Sequence, residues 1–167
     1  MNLIKFILLN IVFITAIFSQ SKEGAEHFAV KYLDIYKTYN FVSMNSGTWE
    51  KEYADQFFTE KTYRSPNPGP GPEFVYYITK YRISKISFDD EYKFYRIRVI
   101  MESPMQLMVG DKVSFKAKEK DFGFAVGYLN GRYYIELEPT PWFIDAKGLT
   151  VLCEWKPKNP LCKYAKK

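Results

Sequence analysis

Histidine is nearly absent from this chain, with His27 the only one. A single imidazole leaves no His/Cys group at metal-ligand spacing and no Ser-His-Asp set, and no glycine-rich phosphate loop follows a strand, so neither a cofactor nor a metal is expected. Cysteine is also sparse, two in 167 residues, and none stands directly after the N-terminal apolar run, which excludes a lipoprotein anchor. That run, Phe6 to Phe18, is also shorter than the roughly 20 residues of a membrane span, so no span is expected once it is removed. There is little excess of one charge sign: 24 Lys and Arg stand against 19 Asp and Glu, for a net charge of +5. Because the basic residues are scattered among acids rather than clustered, the pattern argues against nucleic acid as a partner.

What is abundant is the aromatic ring. Fourteen Tyr, fourteen Phe and three Trp make 19% of the chain, and 47% is hydrophobic. That is enough for one domain with a sizeable core, and rings in this number favour a curved sheet wrapped on a helix over a Leu/Ala bundle. The N-terminus reads as a secretory signal peptide over residues 1–21. Met1 to Lys5 is a basic start, Phe6 to Phe18 an apolar core, and Ser19-Gln20-Ser21 supplies small residues for a cut before Lys22. The expected address is secreted or periplasmic.

The mature chain opens with a helix over about Glu23 to Tyr39. Phe28, Tyr32, Ile35 and Tyr39 recur at helical spacing, flanked by Ala25, Ala29 and Tyr36, and form one broad apolar stripe. His27 lies off that stripe, in line with Lys31 and Asp34, and reads as solvated. Asn40 to Gly47 is a polar break. A second helix is expected from Thr48 to about Lys61, with Trp49, Tyr53, Phe57 and Phe58 on its apolar side. Ser65 to Pro72 carries a proline at every second position, which prevents helix and central strand alike. This is an exposed connector, with a lid or a polyproline ligand as its functional alternatives.

From Glu73 the chain turns to strands. Phe74 to Ile78, Tyr81 to Phe88 and Tyr92 to Met101 are expected strands, with a turn at Asp89-Asp90-Glu91. Tyr95, Ile97, Val99 and Met101 share one face of the third, and Arg96 and Arg98 lie on the other with Phe94 and Ile100. The stretch from Lys112 to Glu138 reads as a meander: a strand to Lys118, a charged turn Glu119-Lys120-Asp121, a strand to Leu129, the turn Asn130-Gly131, and a strand through Glu138. Asn-Gly supplies the two positive-φ residues of a type I′ hairpin. Tyr133, Ile135 and Leu137 alternate with Tyr134, Glu136 and Glu138, which places the two glutamates on the solvent face. In the tail, Pro139 to Ile144 offers Trp142 and Phe143 to the sheet. Cys153 and Cys162, close together with prolines between them in an exported chain, read as a disulfide. Lys156, Lys158, Lys163, Lys166 and Lys167 make this tail basic.

The order of these elements resembles the nuclear-transport-factor-2-like superfamily, the cystatin-like α+β cones. The residues carrying the resemblance are the first helix, Phe57-Phe58-Thr59, Ile83 to Phe88 with Tyr95 to Ile100, and Leu129-Asn-Gly-Arg-Tyr-Tyr-Ile135. It implies an α+β fold in which N-terminal helices pack in a strongly bent antiparallel sheet over residues 22–144; the expected disulfide-closed extension over 145–167 goes beyond the usual end of such a fold. It also implies a conical pocket, which in that superfamily hosts ketosteroid isomerases, dehydratases, cyclases and many secreted members with no known chemistry. This chain offers no second histidine for a dehydratase-like pair and no Tyr–Asp pair that maps on a family motif.

The functional expectation is an exported, non-catalytic domain that binds a small apolar ligand or a protein partner. Either an aromatic pocket lined by Tyr32, Tyr36, Trp49 and Phe57 or a sheet face would serve. The alternatives are an isomerase-, dehydratase- or cyclase-type enzyme using a pocket carboxyl or tyrosine, and a structural or homodimerising module. The acids open to such chemistry are Asp55, Glu136, Glu138, Asp145 and Glu154. An acid within reach of a tyrosine inside the cone is the feature that separates enzyme from binder.

Overall fold

A computed structural model of the chain describes residues 20–46, 51–62, 74–108, 115–140 and 142–165. The apolar run Phe6 to Phe18, Trp49, Ser65 to Pro72 and the last two lysines lie outside the described residues. Helix α1 spans Lys22–Ser46 and α2 spans Lys51–Phe57. They are followed by β1 (Phe74–Tyr77), β2 (Lys80–Asp89), β3 (Phe94–Glu102), β4 (Met105–Met108), β5 (Phe115–Lys116), β6 (Glu119–Leu129), β7 (Arg132–Thr140) and β8 (Phe143–Ile144). Helix α3 (Ala146–Trp155) and a 3₁₀ turn (Pro160–Tyr164) close the chain. The class is α+β, and among the described residues no helix is long and apolar enough to cross a membrane.

Helix α1 continues through the polar stretch expected to break it. Neither Gly nor Pro occurs between Tyr39 and Gly47, so nothing there forces the backbone out of helix, and weak propensity alone does not end one. Its inward stripe overlaps the expected one but is centred on its flank: Ala25, Ala29, Tyr32, Tyr36 and the unexpected Leu33 are at 1% exposure or less, and Phe28, Ile35 and Tyr39 are partly buried beside them. His27 is exposed, as its place off the stripe requires.

The strands form two mostly antiparallel sheets, β2-β3-β6-β7 and β5-β4-β1-β8, with β8 joining β1 in parallel. The large sheet lies against α1. Its inner face is a lattice of apolar residues from Tyr95, Ile97, Val99 and Met101 on β3 and Phe122, Phe124 and Val126 on β6. The β6–β7 hairpin turns at Asn130 (φ 52°) and Gly131 (φ 83°), the geometry that Asn-Gly predicts.

The expected continuous meander is interrupted. Glu119, Lys120 and Asp121 are the first residues of β6 and pair with Glu102, Met101 and Ile100, where a turn was expected. The segment before them, β5, pairs with β4 in the other sheet. Charge misleads at this point because the start of β6 is exposed on both faces. An exposed strand end carries polar residues as readily as a turn does.

A second apolar cluster joins Val75, Leu107 and Ile144 of the small sheet to Leu149 and Leu152 of α3 and Leu161 of the 3₁₀ turn, all buried. The C-terminal extension is therefore packed. Cys153 and Cys162 are bonded, with their Cα atoms 5.5 Å apart. Asp145 caps α3, accepting from the Gly148 N–H at 2.8 Å, and its carboxylate also accepts from Thr38 Oγ1 at 3.1 Å. A Cβ on Gly148 would fall 2.4 Å from the Thr38 carbonyl oxygen. Glycine at 148 is thus what lets α3 approach the α1 backbone.

Candidate functional site

The tyrosines expected to line a pocket are in the core. Tyr32 and Tyr36 have ring centroids 5.4 Å apart, Tyr32 lies 5.3 Å from Phe57 and 5.7 Å from Phe124, and Tyr36 lies 4.7 Å from Phe143. Tyr32 and Phe57 are 0% exposed and Tyr36 1%. Each ring fills space against another ring.

One acid does reach a tyrosine in this region. Strand β7 carries two irregularities against β6: Val126 faces Ile135, Ala125 faces Leu137 and Gly123 faces Thr140. The first inserts one residue beside Glu136, and a one-residue slip exchanges the two faces of a strand. Ile135 points inward, as expected. Past the bulge Leu137 turns outward, 64% exposed, and Glu138 turns inward, where Tyr32 Oη donates to its Oε1 at 3.4 Å. The expected alternation fails here because the bulge shifts the phase of β7 between Ile135 and Leu137. The Tyr32 hydroxyl is held well above the ordinary tyrosine range, first by burial and then by the Glu138 carboxylate. It is a neutral donor. A side chain with no exposed surface cannot touch a reacting group, so this pair orients and ties β7 to α1.

Three of the four other candidate acids also have local work. Asp55 is exposed and pairs with Lys51 one helical turn away, Asp145 is the α3 cap, Glu136 is exposed and bonds Tyr134, and Glu154 is exposed. Among the described residues no cluster of three or more His, Cys, Asp or Glu could hold a metal.

The open feature with the most regular frame is on the outer face of the large sheet. Registered rows run across it: Ser87, Arg96, Ala125 and Leu137 in one, and Lys85, Arg98, Gly123 and Thr140 in the next. Between the arginines of β3 and Leu137 of β7 lies a groove of about 460 Å³ with Gly123 and Ala125 in its lining. Arg96 donates to Asp89 Oδ2 from Nε at 2.7 Å, and Arg98 forks onto Asp121 Oδ2. These pairs fix both guanidinium groups and leave them 60% and 62% exposed. Arg98 holds the Asp121 carboxyl below its ordinary range. For Asp89 the Tyr92 N–H is the first cause and Arg96 the second.

Gly123 distinguishes this face. Gly24 and Gly127 each lie under a tyrosine ring, of Tyr133 and Tyr134, and a Cβ there would meet the hydroxyl oxygen at 2.3 and 2.5 Å. At Gly123 a Cβ would meet only the Ile97 carbonyl oxygen, at 3.5 Å, an ordinary contact. Glycine in a strand interior weakens it and marks a bulge or a close approach. Here packing does not demand the missing side chain, and its absence keeps the groove open.

A wider opening of about 660 Å³ lies at the hairpin tips, beside Tyr92, Leu129 and Arg132. Its arginine is already engaged by the Asp55 and Phe58 carbonyl oxygens, at 3.2 and 2.6 Å, at the end of α2. Sequence reading placed Arg96 and Arg98 on the face of β3 opposite Ile97 but did not single them out, and Gly123 passed unnoticed. The signal available was a glycine inside an otherwise continuous apolar strand. Comparison of the chain with family models, with curated proteins and with solved structures finds no match, so the site is read from its own geometry.

Proposed function

We propose that this chain is an exported binding module of the nuclear-transport-factor-2-like type, its large sheet bent round α1 as a cone, and that it binds a protein partner through the outer sheet face. The bound element is an extended, acidic segment laid along β6, between the arginines of β3 and Leu137. The observation that carries this reading is the groove over Gly123, where a strand glycine that packing does not require leaves room for another backbone. Lys85, Arg96 and Arg98 line it against the single carboxylate of Asp121, which gives charge complementarity to an acidic partner. Leu137 supplies exposed apolar area at the wall.

Supporting the family reading are the long first helix across the inner face and the expected strand hairpins. The Cys153–Cys162 bond is compatible with an oxidising compartment outside the cytoplasm. The filled interior favours a face over an internal pocket, and so a protein partner over a small apolar ligand.

The test is binding of a labelled glutamate-rich peptide followed by fluorescence anisotropy. Binding is expected to weaken with salt, to fall at least tenfold in Arg98→Glu, and to be lost in Gly123→Leu, which fills the groove. Unchanged binding by a folded Gly123→Leu variant would overturn the assignment.

A further inference from the structure

Ser21, placed by sequence pattern on the leader side of the cut, is fully engaged in the fold. Its N–H donates to Tyr133 Oη at 2.8 Å, and its carbonyl oxygen accepts from that same hydroxyl at 2.9 Å and from the Ala25 N–H at 3.0 Å. Its Oγ accepts from the Gly24 N–H at 3.0 Å, the bond of a helix N-cap. The Tyr133 ring lies directly over Gly24, closing this arrangement. One residue earlier stands Gln20. Its Nε2 is the only buried side-chain nitrogen or oxygen among the described residues that lacks a hydrogen-bond partner, a costly condition for an amide.

A cut after Ser21 would remove the cap, strip Tyr133 Oη of both partners, and put a new ammonium on Lys22, the first residue of α1. Positive charge is unfavourable at that end of the helix dipole. A cut after Gln20 keeps Ser21 but puts the ammonium on the cap itself and presents a long side chain where a small one is needed. A cut after Ser19 places a small residue at the last leader position and preserves every bond of Ser21.

We propose, resting on the export reading above, that processing cleaves the Ser19–Gln20 bond and that the new N-terminal Gln20 closes to pyroglutamate. The freed α-amine attacks the side-chain Cδ, a ring amide forms, the Cδ–Nε2 bond breaks, and Nε2 takes up a proton and leaves as ammonia. No oxidant or co-reactant is involved. The closure removes both liabilities at once, the unpaired buried amide nitrogen and the cation at the positive end of α1.

Intact mass and N-terminal peptide mapping of the full chain, recovered from outside the cytoplasm of an exporting host, test this. The expected product begins at Gln20 and is lighter by one ammonia than the free-amine form, and Gln20→Ala yields the same cut with a free amine. A chain beginning at Lys22, or at Gln20 with its amine free, would overturn the proposal and leave export intact. Retention of Met1 would overturn the export reading with it. Independently of export, a chain made to begin at Lys22 should melt below one made to begin at Gln20. Equal melting would refute the assignment of Ser21 to the fold.

Discussion

The two faces of the large sheet are built from the same four strands and differ in what they leave unfilled. On the inner face, Tyr95, Ile97, Val99 and Met101 of β3 and Phe122, Phe124 and Val126 of β6 are each at most 7% exposed beneath α1. On the outer face the same strands present Arg96, Arg98, Asp121 and Gly123, with charged pairs fixed by hydrogen bonds and a groove between them. One alternation therefore produces a packed core and an open, charged groove. Substitutions should separate the two: inner changes act on folding, outer changes on binding.

The largest effect is expected at the inner face. Ile97→Ala should cost about 2–5 kcal/mol, and Ile97→Asp should abolish the cooperative transition, read by chemical denaturation. Arg98→Glu, one residue along β3, breaks an exposed pair with Asp121 and should cost no more than about 1 kcal/mol. Equal destabilisation by the two would erase the distinction between faces.

Next is the disulfide, which holds the second cluster and lies outside this comparison, and so controls for it. Cys153→Ser with Cys162→Ser should cost about 2.5–3 kcal/mol on the chain-entropy account for a loop of this size. Thermal melting should drop while peptide binding at the outer face persists. Loss of binding in a folded double variant would show that the faces are not independent of the extension.

A smaller effect is expected at Tyr32→Phe, which removes the hydroxyl given to Glu138 and should cost about 1 kcal/mol. It also probes alkaline behaviour. Tyr32, Tyr81, Tyr95 and Tyr134 are all held above the ordinary tyrosine value of 10.0, with burial the first cause in each. Where the unfolded chain loses these protons and the folded chain keeps them, stability falls as pH rises. It should be fully present below pH 10 and decline above it. Tyr32→Phe should flatten that decline, and denaturant midpoints measured across the alkaline range would show whether it does.

The smallest effect is expected on the outer face in acid. Asp89 and Asp121 are both held below the ordinary aspartate value, so their contribution is present above that value and lost as pH falls through the lowered one. Asp121→Asn should slightly shallow the acid limb of the stability profile. A steeper limb in the variant would contradict the sign.

Local sequence alone determined most of the inward stripe of α1, the buried face of β3, the Asn130-Gly131 hairpin and the pairing of two nearby cysteines. In each case the cause is local: a 3.6-residue or two-residue period, a turn that requires positive φ, or a short loop between thiols. Tertiary structure decided the rest. Whether Tyr32 and Tyr36 line a cavity or fill one depends on Phe57, Phe124 and Phe143 arriving from distant segments, which no window around α1 contains. The inward turn of Glu138 and the outward turn of Leu137 follow from a bulge against β6, and strand phase is a property of the pair, not of β7. Glu119 to Asp121 became strand because β3 offered partners that only the folded sheet provides. Gly123 acquired meaning only when its neighbours were in place, since a missing side chain matters only where the surrounding structure leaves the space open.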